Sequence, residues 1–255
     1  MTSKQPIKLM VNGMNEKKVA LIVGAGDAIG SAIAREFAEK GFTVCMVRRS
    51  KQPVVAYAEQ LRDEGFDAYG FAADARKEDQ VESLFETIES QIGEIEVVVF
   101  NVGANVPMSL LETSAQKFSK IWEMACFAGF LVGREAARYM SKRKRGTILF
   151  TGATASVRGG AIFAAFSSAK QGLRALAQSM AREFGPKNIH VAHVIIDAAV
   201  DTQWIRDNHP SYEKLSGKDG VVKPSDLAKN YVMLHEQPRN AWTFELDVRP
   251  WIENW

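Results

Sequence analysis

Short unbroken apolar runs alternate along this chain with stretches in which apolar residues return every three or four positions. The first run is Val19-Ala20-Leu21-Ile22-Val23, and in the segment after it Ile29, Ile33 and Phe37 keep a helical period. Unbroken runs suit strands buried on both faces of a parallel sheet, and helical stripes suit the crossovers between such strands. The pattern predicts strands near 18–23, 43–48, 67–72, 95–101, 146–151, 189–195 and 243–247. It predicts helices near 29–40, 51–64, 77–92, 107–120 continuing through 121–142, 161–185 and 225–235. Strand and helix alternate without a break, so the expected class is α/β, a single doubly wound parallel sheet with helices on both faces. No fixed-period repeat or low-complexity tract competes with that pattern.

With 255 residues, 46% of them hydrophobic, the chain can bury the core of one large α/β domain. Residues 16–255 are expected to form it, and residues 1–15, with Pro6 and scattered lysines, a flexible N-terminal arm. A net charge of +2 is too small for a nucleic-acid surface, and Lys142-Arg143-Lys144-Arg145 reads as a solvated loop between a helix and a strand. Cys45 and Cys126 lie in apolar runs with neither a disulfide framework nor metal-ligand spacing, so both are expected as reduced core thiols. No apolar segment reaches the length of a membrane span and no leader pattern opens the chain, so a cytoplasmic protein is expected.

Candidate chemistry begins where the first strand ends. Gly24-Ala25-Gly26-Asp27-Ala28-Ile29-Gly30 places three glycines within seven positions between a buried strand and a helix. Such a turn offers unpaired backbone N–H groups and the positive end of a helix dipole, and the missing Cβ atoms let a pyrophosphate come close. The second strand ends in Arg48-Arg49 with no acid beside them. A carboxylate at this strand tip takes the free 2′-hydroxyl of an adenosine ribose, whereas a guanidinium suits a 2′-phosphate, so NADP(H) is favoured over NAD(H). Two solvated arginines at a strand exit are the plainer alternative. The third strand leads into Asp74-Ala75, where the acid can accept from adenine or cap the next helix. The fourth delivers Asn101-Val102-Gly103, and its glycine leaves room for a flat ring at the carboxyl edge of the sheet.

In order and spacing these motifs resemble the short-chain dehydrogenase/reductase family over roughly residues 17–250. Gly24 to Gly30 stand for its glycine-rich turn, Asp74 for its adenine-site acid and Asn101-Val102-Gly103 for its Asn-Asn-Ala-Gly. Phe166-Ser167-Ser168-Ala169-Lys170 falls where Tyr-x-x-x-Lys is expected. The resemblance implies a Rossmann-like seven-stranded sheet of order 3-2-1-4-5-6-7, a nicotinamide cofactor and a homo-oligomer, dimer or tetramer. It implies cofactor contacts from Gly24, Gly26, Asp27, Ala28, Ile29, Gly30, Arg48, Arg49, Asp74, Ala75, Asn101, Val102, Gly103, Thr151, Lys170 and Thr202.

The departures matter more than the matches. The family's middle turn glycine is Ala28, with Gly26 as an additional glycine. Its catalytic Tyr falls on Phe166, its Ser on Ala153 and its Asn on Ala125, three positions expected to line the substrate pocket; of the usual four only Lys170 remains. Phe166 has no proton to give and the Ala153 side chain cannot hold an oxygen, so ordinary alcohol/ketone turnover cannot run through these positions. Thr151 and Asp197 are candidate replacement groups, although an acid in the place of Asp197 more often caps a helix or pairs with a loop amide. Phe163, Phe166, Trp204 and Ala153 imply an apolar pocket, and 203–222 reads as a polar flap over it. Trp251 and Trp255, beyond Pro250, suggest docking against a neighbouring subunit.

Two functional readings follow. One is an NADP(H)-binding oxidoreductase of atypical mechanism, acting on a small, activated, largely apolar carbonyl or alkene. The other is a catalytically inactive homologue that serves as a cofactor-binding sensor or as the structural partner of a related active subunit. Neither calls for a metal, a nucleic acid or a membrane.

Overall fold

The computed structural model describes residues 17–103 and 105–253. The arm expected over 1–15 and the terminal Trp255 lie outside the described residues. The elements run β1 (Lys18–Val23), α1 (Ile29–Glu39), β2 (Thr43–Arg48), α2 (Lys51–Asp63), β3 (Ala68–Ala72), α3 (Glu78–Gln91), β4 (Glu94–Phe100), α4 (Ala115–Trp122) and α5 (Ala128–Arg143). They continue as β5 (Gly146–Thr151), α6 (Ala164–Phe184), β6 (Ile189–Ile196), α7 (Gln203–Asn208), α8 (Tyr212–Ser216), α9 (Pro224–His235) and β7 (Glu245–Val248). The seven strands form one sheet of order 3-2-1-4-5-6-7 in which every neighbouring pair is parallel. This is the doubly wound, Rossmann-like arrangement that the alternation of patterns predicts.

Apolar runs are needed because both faces of the sheet are covered. Val19, Leu21 and Val23 of β1 join the layer made by α3, α5 and α6, while Ala20 and Ile22 join the layer made by α1, α2 and α9. Period-two alternation therefore feeds two separate cores from one strand. The strand order reverses between β1 and β4, and the crevice beyond their carboxyl ends is where such sheets take ligands.

Three helical expectations are corrected. The helix predicted from 107 begins only at Ala115, where Ser114 caps it by accepting a hydrogen bond from the Lys117 N–H at 3.2 Å. That helix does not run evenly into α5, because Glu123–Phe127 form a π-helical turn. The helix predicted from 161 begins at Ala164, since Ile162 stands at φ 62°, a left-handed conformation that a β-branched residue rarely adopts. Its carbonyl accepts from the Met108 N–H at 2.7 Å, tying two loops together. The stretch 203–222, read as a flap, contains two short helices, α7 and α8.

The basic run 142–145 is also not simply solvated. Lys142 and Arg143 end α5, and Arg143 donates to both carboxylate oxygens of Glu89 at 2.7 and 3.0 Å. Arg145 pairs with Glu94 and Glu96, so acids from α3 and β4 neutralise half of the run.

Candidate functional site

The turn after β1 is fastened from two sides. The N–H groups of Gly24 and Ala25 both donate to the Val47 carbonyl, at 2.9 and 3.0 Å, and the Asn101 side chain donates to the Gly24 carbonyl at 3.0 Å. Gly24 has φ +93°, and a Cβ on it would lie 2.5 Å from the Asn101 carbonyl oxygen; one on Gly30 would lie 2.5 Å from that of Gly24. These two glycines let α1 and β4 close on the turn. Gly26 differs, because no atom lies within 4 Å of where its Cβ would be. The open space belongs to a cavity of about 320 Å³ that Gly26 lines. α1 itself, with Ala28 at its N-cap, has no side-chain cap and no acid in its first turn. A cradle with this room and this uncapped helix start fits a phosphate group.

Around the same cavity stand Arg48 at the end of β2 and Arg49 just beyond it, Asp74 and Ala75 beyond β3, and Asn101, Val102 and Gly103 beyond β4. Arg48 donates one hydrogen bond, 2.9 Å long, to the Asp27 carboxylate of the glycine turn. Asp74 does not cap α3. Its carboxylate takes Arg76 Nε at 2.9 Å, Nη2 at 2.5 Å and the Arg76 backbone N–H at 3.1 Å. These bonds from Arg76 hold the Asp74 carboxyl below the usual range, with a smaller contribution from the Arg49 charge. The Asp74 backbone N–H is taken by Gln80.

A second cavity of about 320 Å³ continues past Asn101, Val102 and Gly103 to Ile29, Thr151, Ala153, Phe166 and Lys170. Lys170 is only 3% exposed, yet its ammonium donates to the Thr151 carbonyl at 2.8 Å and the Val102 carbonyl at 3.1 Å and lies 5.9 Å from the centre of the Phe166 ring. Burial pulls its pKa down to about 8, with Cys126 acting weakly the other way. A third cavity of about 370 Å³ shares Ala153 and Phe166 and reaches Phe163, Arg158 and Ser167. Ala125 is fully buried and packs with Cys126 and Ala169 behind this groove, outside its lining.

Several candidates point elsewhere. The Thr151 hydroxyl shares a 2.7 Å hydrogen bond with that of Tyr231 on α9. Asp197, though at the end of β6, is buried and engaged: the Thr154 hydroxyl donates to it, and Arg158 and Arg249 each stand 3.4 Å from it. Neither cavity beside β6 is lined by it, so the reading of Asp197 as a replacement acid gives way to a structural one. Thr202 caps α7 by accepting from the Ile205 N–H at 3.2 Å. Trp204 is exposed and lines no cavity among those described, and Trp251 donates to the Lys218 carbonyl at 3.1 Å.

Other residues come into view only in the folded chain. Asn105 and Arg158 border the groove, and the Ser156 hydroxyl accepts from the Ala153 N–H at 3.1 Å. His193 lies fully buried beneath Gly152, with its Nδ1 3.1 Å from Glu245, which Arg174 grips with two bonds of 2.6 Å. His190 and His193 interrupt a strand otherwise made of apolar residues, which signals buried polar contacts without saying which residues make them. Among the described residues no group of His, Cys, Asp and Glu could hold a metal ion, and no helix is long and apolar enough to cross a membrane.

Comparison with known proteins supplies the family. The profile for short chain dehydrogenase matches residues 18–212. The chain is 29% identical over 224 residues to the 2-dehydro-3-deoxy-D-gluconate 5-dehydrogenase of Formosa agariphila, with 85% of each chain covered. A crystal structure of a short-chain dehydrogenase from Rhodopseudomonas palustris, 46% identical, superposes with a TM-score of 0.79 over 92% of this chain and 99% of its own. A metagenomic short-chain oxidoreductase solved in complex with NADP, 24% identical, shares the fold with a TM-score of 0.79 over 92% of this chain and 98% of its own. Since the profile runs from β1 through α7, and likeness to solved relatives extends over nearly all the rest, this chain belongs to the short-chain dehydrogenase family of oxidoreductases.

Proposed function

We propose that the chain binds NADP(H) and transfers hydride to or from a small, activated, largely apolar carbonyl or alkene without a tyrosine acid. The observation that carries this reading is the adenosine end of the groove, where Arg48 and Arg49 line the cavity beside the start of α2. The first turn of α2 contains no acid and its Ser50 makes no side-chain cap, so a 2′-phosphate would meet two guanidiniums and a helix N-terminus together. The glycine turn, with Asp27, Ala28 and Ile29, would hold the pyrophosphate, and Asp74 with Ala75 would meet the adenine. Asn101, Val102, Gly103, Thr151 and Thr202 would border the nicotinamide, and Lys170 would hold its ribose. When bound, the nicotinamide supplies or accepts the hydride.

The protein's own groups then set the limits of the chemistry. Lys170 keeps a proton on Nζ at neutral pH, but it is anchored to two carbonyls and has no hydroxyl on Phe166 to polarise. Phe163, Phe166 and Ala153 exclude water from one wall of the pocket without offering a proton. A positioned acid is worth ~10²–10⁴ in rate, so substrates that need little proton help are favoured, with solvent as the proton source. A homo-oligomer belongs to the same reading, supported by the exposed rings of Phe118, Trp122 and Phe130 on α4 and α5. So does a cytoplasmic setting, which suits the two buried free thiols Cys45 and Cys126.

Turnover of NADPH against a panel of activated alkenes, α-dicarbonyls and simple ketones tests this. Activated substrates should react while simple ketones lag by about 100-fold or more. Equal rates across the panel would remove the atypical mechanism, and no turnover of any compound by NADPH-saturated protein would leave the non-catalytic reading.

A further inference from the structure

We infer that Asp27 is an intramolecular competitor for the 2′-phosphate subsite, holding Arg48 when no phosphate is there and thereby setting how strongly NADPH is preferred to NADH. This rests on the NADP(H) reading above. Three guanidiniums meet at the adenosine end of the groove, and they stand in three different states. Arg76 is committed to Asp74 through two side-chain nitrogens. Arg49 makes no ion pair among the described residues, though its charge acts on Asp74. Arg48 is held by a single 2.9 Å bond from Nη1 to the Asp27 carboxylate.

The geometry of that bond decides how easily it is exchanged. The Asp27 side chain is 89% exposed and that of Arg48 only 28%, so the arginine is the fixed partner and the acid the mobile one. An exposed, one-bond ion pair contributes little to stability. A phosphate dianion brings twice the charge and can take the planar guanidinium through paired oxygens, so it displaces the carboxylate. Until it does, Asp27 occupies the donor that the phosphate requires. The acid also sits just ahead of α1, where it repels any pyrophosphate, but that effect falls equally on NADPH and NADH and cancels in their ratio.

Dissociation constants for NADPH, NADH, 2′,5′-ADP and 5′-AMP, measured by calorimetry on the wild type, Asp27→Asn, Arg48→Ala and the double variant, test the exchange. Asp27→Asn should tighten NADPH and 2′,5′-ADP by roughly three- to tenfold relative to NADH and 5′-AMP. The gain should vanish in the double variant. An unchanged or smaller preference for NADPH over NADH in Asp27→Asn overturns the competitor role, as does a gain that persists without Arg48. A wild type that binds 2′,5′-ADP no better than 5′-AMP overturns the NADP(H) reading itself, and this inference with it. A wild type that prefers 2′,5′-ADP while Asp27→Asn leaves that preference flat overturns the inference alone.

Discussion

His193 is a buried side chain whose charge is constrained by its surroundings. It is fully buried, its Nδ1 faces the Glu245 carboxylate, and its Nε2 has no hydrogen-bond partner among the described residues. A neutral ring with its proton on Nδ1 satisfies the carboxylate. Burial lowers its pKa to about 4, outweighing the upward pull of Glu245. Between pH 6.5 and 4 the unfolded chain therefore binds the proton and the folded chain does not, so stability falls as the pH drops through that window. A shift of this size corresponds to roughly 3 kcal/mol. Melting temperatures measured across the window should fall less steeply for His193→Gln than for the wild type, and parallel curves would show that His193 does not titrate there. Nothing at single-residue level in the sequence identifies this pairing, because Arg174, Glu245 and His193 come from α6, β7 and β6. The same holds for Asp197, whose place at a strand end was legible while its capture by Thr154 and two arginines was not.

At the level of elements, α6 concentrates the site. Phe166, Lys170 and Arg174 recur at intervals of four along the helix, Lys170 reaching the Thr151 carbonyl at the end of β5 and Arg174 the Glu245 carboxylate at the start of β7. That regularity makes possible a direct test of the proposal that the site lacks a tyrosine acid. Phe166→Tyr with Ala153→Ser would put a phenol close to Lys170 and a hydroxyl across the same cavity. Carbonyl reduction by the double variant should rise by about 10² or more in steady-state assays on simple ketones. An unchanged rate with intact nucleotide binding would mean that Phe166 does not occupy the proton donor's place.

The inner strands were legible because each apolar run is bounded by polar residues or glycine and both faces of the sheet are buried there. The breaks inside helices were not. A π-turn at Glu123–Phe127 has no compositional signature, and a left-handed Ile162 opposes the residue's own preference, being held there by the Met108 contact.

At the scale of the whole molecule, seven parallel strands deliver their carboxyl ends to one edge, so loops distant in sequence build a single groove. The net charge of +2 is small, but Arg48, Arg49 and Arg76 are gathered at one end of that groove while buried Lys170 stands at the other. This polarity, rather than the total charge, matches an elongated anionic ligand with a phosphate at one end and a flat ring at the other. Titration of the purified protein with NADPH and separately with NADH, followed by nicotinamide fluorescence, measures that match directly. NADPH is expected to bind in the micromolar range and NADH about tenfold or more weakly, from loss of the charge-assisted phosphate contacts. Binding of neither nucleotide at millimolar concentration would contradict a cofactor site in this groove.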